Sequence, residues 1–144
     1  MKAVILEKEN IEKTINHLVA YGIESFIVFG SVVNKNYYEL NGISVLSLNS
    51  LKKDSVKEKL LKIKGSLNDC FFLVYSDGIR HFDIDEIIKC HKNSQVCATL
   101  VEKENKLCAA LLENEIFDYL SDFSNFEIET LKKVAQDGEM LIYK

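Results

Sequence analysis

The sequence predicts a single three-layer α/β domain: a mostly parallel sheet with helices on both faces. Three observations lead there. Apolar runs such as Ser25-Phe26-Ile27-Val28-Phe29 are continuous, as strands buried on both faces require. Segments of helical periodicity alternate with those runs along the chain. Finally, 144 residues with 47% hydrophobic content can bury one core, and no linker, repeat or low-complexity segment divides residues 1–144.

The elements follow in order. Ala3 to Leu6 reads as the first strand. Ile11, Ile15, Leu18 and Val19 then recur at helical spacing, with Asn10 as the expected N-cap and Gly22, after Tyr21, as a left-handed terminator. Phe26 to Gly30 is the second strand. Val33 to Gly42, with Tyr37 and Tyr38, has little pattern and is expected to be a surface connection before the third strand, Ile43 to Leu48. A helix over Lys53 to Leu67 sets Val56, Leu60, Ile63 and Leu67 on one face and lysines on the solvated other. Cys70 to Tyr75 is the fourth strand, stopping at Ser76-Asp77-Gly78. Next, Asp83 caps a helix to Lys92, Glu86 returns the bond, and Phe82 staples onto Ile87. Val96 to Val101 and Leu107 to Leu111 are strands, and Glu115 to Leu120 is a short helix. A capping box of Ser124 and Glu127 opens a helix through Ile128, Leu131 and Val134 that ends near Asp137-Gly138, and Met140 to Tyr143 is the last strand.

Composition excludes several function classes. The net charge is −4 and no basic run exceeds a pair, so neither nucleic acid nor an anionic membrane is expected as a partner. The apolar stretch after Met1 is too brief for a signal-peptide core or a span, which predicts a soluble, cytoplasmic protein. Cys70, Cys90, Cys97 and Cys108 lack C-x-x-C spacing and are expected as buried reduced thiols, not as zinc ligands. His17 and His91 fall on helix surfaces, and His81 in a polar loop.

In such a fold ligands bind at the C-terminal ends of the strands, which directs attention to two loops. After the first strand, Leu6 is followed by Glu7-Lys8-Glu9-Asn10 and then the helix. Without glycines, no nest of backbone N–H groups can close around phosphates there, and two carboxylates stand in their place. The second loop follows "FFLVY". A carboxylate at the end of a buried parallel strand, followed by glycine, suits Mg²⁺ bound with phosphate oxygens. Asp-Gly is also a very common turn, so Asp77 has two readings. Arg80 likewise reads as a phosphate contact or as a solvated loop charge.

The stretch "DCFFLVYSDGIRHFDIDEIIKCHKNSQVCATLV" resembles the middle of the sugar-1-phosphate nucleotidyltransferases, especially the glucose-1-phosphate cytidylyltransferase branch. There a strand ends in a Gly-Asp-Gly or similar turn, followed by an "xxDIDELIxFHK" helix and an "ATLT"-like strand. "MKAVIL" is similar to the family's opening strand and "INHLVAYGIESFIVFG" to its first helix and second strand. "ALLENEIFDYLSDFSNFEIETLKKVAQDGEMLIYK" is similar to a later segment. These patches cover about two-thirds of the chain.

The resemblance implies a reduced nucleotidyltransferase (Rossmann-like) fold. In the family, a nucleoside monophosphate passes from an NTP to a sugar 1-phosphate with Mg²⁺. The sequence departs where that chemistry is carried. The family's Gly-Gly-x-Gly-Thr-Arg loop and the Pro-Lys-Pro after it have no counterpart between Leu6 and Asn10. Its Leu-Gly-Thr-Ala turn maps near Leu51 to Val56, where "LKKDSV" has no glycine. A long sugar-binding stretch is reduced to "EKENKLCA" between Val101 and Ala109, and Glu102-Lys103 echoes a Glu-Lys-Pro without its proline. Lys144 is reached before the family's second metal-binding aspartate.

The ligand-binding candidates are therefore Asp77, which the resemblance carries over as the metal candidate, Gly78 and Arg80 beside it, and Lys103, an echo of the family's lysine; no catalytic residue is expected. The expectation is a degenerate, non-catalytic binding, dimerising or regulatory module. Its expected partner is a second copy or a full-length relative, in nucleotide-sugar or surface-polysaccharide metabolism. No cofactor is expected. Two alternatives stand beside it: an active minimal transferase using Mg²⁺, Asp77, Lys103 and Lys8, and a module that holds a nucleotide or sugar phosphate without turnover.

Overall fold

The computed structural model describes residues 1–49, 54–120 and 125–144. Its seven strands are β1 (Lys2–Ile5), β2 (Ser25–Val28), β3 (Ser44–Ser47), β4 (Phe71–Val74), β5 (Ala98–Lys103), β6 (Lys106–Leu112) and β7 (Met140–Tyr143). They form one sheet in the order β3-β2-β1-β4-β6-β5-β7. Every pairing is parallel except those of β6, which runs antiparallel to both β4 and β5. The expected three-layer, mostly parallel α/β architecture is the one observed.

Strand alternation divides the core in two. Ala3, Ile5, Phe26, Val28, Phe72 and Val74 face one side, against Ile15 and Leu18 of α1 (Ile11–Ala20) and Ile84 and Ile87 of α4 (Ile84–Ser94). Val4, Ile27, Phe71 and Leu73 face the other. There they meet Leu60 and Ile63 of α3 (Val56–Ile63), Phe117 of α5 (Ile116–Leu120) and Val134 of α6 (Leu131–Gln136). Each large side chain among them contributes roughly 1.5–3 kcal/mol by leaving water, and the polar residues of β1 and β2 are confined to their first positions, Lys2 and Ser25, while β4 has none. Among the described residues no helix is long and apolar enough to cross a membrane.

Several local features differ from the sequence expectations. Val33 to Gly42 contains a helix, α2 (Lys35–Leu40), because Tyr38 is buried and its hydroxyl donates to Asn16 Oδ1 at 2.9 Å. That anchor is tertiary and leaves no periodic trace. Asn10 stands at the N-cap of α1 but adopts φ 58° and makes no capping bond. The start of α3 is fixed by Ser55, whose hydroxyl accepts from Glu58 N, while Lys53 lies outside the described residues. Ser124 also lies outside them; Asn125 is the cap, accepting from Ile128 N at 2.8 Å. A π-helical turn, Phe126–Thr130, follows and leads into α6. His91 is not a surface residue, since it is 2% exposed and hydrogen-bonded at both ring nitrogens. His17 is half-buried, with Nε2 3.1 Å from the Phe82 carbonyl.

The connection between β5 and β6 bears directly on function. Lys103 pairs with Lys106, and only Glu104 (φ 53°) and Asn105 (φ 62°) lie between. Two successive left-handed residues make the tight hairpin turn whose twist matches that of the strands.

Candidate functional site at the C-terminal edge of the parallel strands

β1 lies between β2 and β4, so the chain departs from β1 in opposite directions, and the crevice beyond the ends of β1 and β4 is the ligand position of such sheets. The ladder continues one residue past β1, with Leu6 N donating to Val74 O at 2.9 Å. Glu7 then turns inward and is only 8% exposed. Burial pushes its carboxyl above the usual range; Thr14 offsets this, Asp77 adds to it, and Arg80 lowers it slightly. Glu7 Oε1, Thr14 Oγ1 and Arg80 Nε have no hydrogen-bond partner among the described residues.

Asp77 opens a 3₁₀ turn, Asp77–His81, that packs beside α1. Ser76 caps the turn by accepting from Gly78 N. One carboxylate oxygen, Asp77 Oδ2, receives both Asn10 Nδ2 at 3.1 Å and Arg80 Nη2 at 3.2 Å. The residue expected to meet a metal is thus held by its own neighbours, one of them from the loop after β1. Arg80 gives Asp77 one donor, Nη2, so these two sequence candidates come together as an ion pair.

Gly78 has a packing role. A Cβ built there would lie 2.5 Å from Cys108 Sγ on β6, far inside van der Waals contact. Lys103 is at the end of β5, separated from β4 by β6, or two strand spacings of about 5 Å each. Lys8 and His81 are exposed. Across the crevice, Glu12 in the first turn of α1 accepts from Val33 N at 3.0 Å and Asn34 N at 3.3 Å. A protein carboxylate therefore fills the position an anionic ligand would take on those N–H groups. Sequence reasoning foresaw the negative charge of Glu7 but not its burial, and it missed Glu12; charge pattern alone does not say which carboxylates turn inward.

The sheet order and this edge define an α/β domain of the nucleotidyltransferase type. No family model matches the chain. Over 60% of its length the chain is 25% identical to a Bacillus subtilis protein assigned as a glucose-1-phosphate cytidylyltransferase. That match covers 46% of the relative, so the chain spans about half the length of the curated protein it matches. A Bacillus anthracis structure assigned as a glucose-1-phosphate thymidylyltransferase superposes with a TM-score of 0.71 at 13% identity, covering 99% of this chain and 86% of that one. A UDP-glucose pyrophosphorylase complexed with UDP-glucose gives 0.65 at 11% identity, covering 99% and 89%. A CMP-2-keto-3-deoxy-manno-octonic acid synthetase with CTP gives 0.56 at 9%, covering 99% and 89%. The resemblance to sugar-1-phosphate nucleotidyltransferases is thus borne out: a curated protein of that kind matches part of the chain in sequence, and solved structures of that kind share its fold.

Proposed function

We propose that this chain is a non-catalytic nucleotidyltransferase-like module, retained for binding and assembly in nucleotide-sugar or surface-polysaccharide metabolism. The observation that carries the reading is the closed corner after β1. Glu7 is buried there, no glycine is present, and one Asp77 oxygen already accepts from both Asn10 and Arg80. Nucleotidyl transfer needs donors aimed at the phosphates and a cation on the departing pyrophosphate, and each missing donor costs about 10²–10³ in rate. The two-residue turn between Lys103 and Lys106 supports the same reading, since it leaves no segment there to wrap a sugar.

Assembly is favoured by the sheet's ends. β3 and β7 are edge strands, and each exposes a large apolar side chain: Leu46 at 44% and Ile142 at 49%. Unpaired strand edges of that kind add a strand from a second copy or from a full-length relative. The test is incubation with each NTP, glucose 1-phosphate and Mg²⁺, with pyrophosphate detection, alongside molar mass by light scattering. No release above a buffer blank and a mass above the monomer, alone or with a full-length relative, is expected. Release abolished by Asp77→Asn would instead identify an active minimal transferase that moves a nucleoside monophosphate onto a sugar 1-phosphate.

A further inference from the structure

At the opposite edge of the sheet, Cys70 precedes β4, Glu113 follows β6, and His91 reaches them from the last turns of α4. One donor atom from each lies within 4.8 Å of the other two. We propose that these three side chains bind a zinc-class divalent transition-metal ion, at a site separate from the Asp77 edge.

The donor set is borderline-soft, one sulfur, one imidazole and one carboxylate, which suits Zn²⁺ or Co²⁺ and not Mg²⁺. A tetrahedral ion with bonds of 2.0–2.3 Å holds its ligands about 3.3–3.8 Å apart. His91 Nε2 and Glu113 Oε2 are 2.6 Å apart, so a shift of about 1 Å admits the ion between them. The other ring nitrogen is already oriented: His91 Nδ1 lies 2.7 Å from the buried Thr99 Oγ1, the outer contact that fixes a ligating imidazole. The fourth position opens into a cavity of about 650 Å³, which supplies an entry path and room for water. Asp69, Glu115 and Glu139 line that cavity against Lys92 and the Met1 terminus, so with Glu113 its acidic groups outnumber its cations.

Binding requires the Cys70 thiolate, so the thiol proton is displaced to water as the ion enters.

The test titrates Co²⁺ and Zn²⁺ into metal-stripped full-length protein. One equivalent of Co²⁺ should bind with a thiolate-to-metal charge-transfer band and the visible bands of a tetrahedral ion. Cys70→Ser should abolish the charge-transfer band and Cys97→Ser should leave it. Thr99→Val should weaken binding by about 10–100-fold. If Cys70→Ser does not fold, mapped alkylation of the wild type decides: Zn²⁺ shielding Cys70 but not Cys97 supports the site. The absence of stoichiometric binding, a band surviving Cys70→Ser, or equal alkylation of both thiols overturns it.

Discussion

An alanine at position 78 would place its methyl carbon 2.5 Å from Cys108 Sγ, where ordinary contact begins near 3.5 Å. Either the Cys108 side chain rotates or the Asp77–His81 turn and β6 separate by about 1 Å. Cys108 is 3% exposed, so it has little space to move, and overpacking of this kind costs about 1–3 kcal/mol. Against that, the Gly78 backbone lies outside the left-handed region, so alanine fits it and should return about 0.4–1 kcal/mol through the unfolded chain. Gly78→Ala should therefore lose about 1 kcal/mol net, roughly 3 °C in Tm. In a Cys108→Ala background the sulfur is gone, and the nearest remaining atoms stand at 3.3 Å and 3.4 Å. There the same change should be neutral or slightly stabilising, giving a coupling of about 1–3 kcal/mol in urea denaturation with unchanged m. If Gly78→Ala costs the same in both backgrounds, within about 0.5 kcal/mol, packing against Cys108 is not why glycine stands there, and close approach of a ligand becomes its explanation.

Three further outcomes are expected. Glu7→Gln should stabilise the fold by about 1 kcal/mol at neutral pH, by removing a buried charge one of whose oxygens, Oε1, has no hydrogen-bond partner among the described residues. Because the folded carboxyl titrates above its unfolded value, the charged form penalises the fold above that raised value and the penalty vanishes below the unfolded one. The gap between variant and wild type should thus close as pH falls, and thermal melts showing it widen would contradict the reasoning. Asn125→Ala should cost about 0.5–2 kcal/mol by removing the cap on Ile128 N, again read by melting. Replacing Glu104-Asn105 by Asn-Gly should raise Tm by a few degrees, since both positions are left-handed; a lowered Tm would refute the tight-turn assignment.

The strands were legible because burial on both faces writes itself as continuous apolar runs, and all seven occur where the sequence puts them. Helices bounded by local chemistry were equally legible: Asp83 accepts from Glu86 N as its spacing requires. What sequence could not give is whatever depends on a distant partner. Tyr38 holds α2 through Asn16, and His91 sits inside because Thr99 of β5 and Glu113 just after β6 meet it. The candidate site divides along the same line. The missing glycines after β1 and the Asp77 turn were visible, whereas the contacts to Asp77 Oδ2 come from residues 10 and 80 and needed the fold.

The account rests on the corner after β1 being closed to polyphosphate, and the most direct measurement is a backbone amide NMR titration with Mg²⁺ and each nucleoside triphosphate. Resonances of residues 6–14 and 76–81 should stay in place through millimolar nucleotide. Saturable shifts clustered on those two segments, lost in Asp77→Asn, would contradict it.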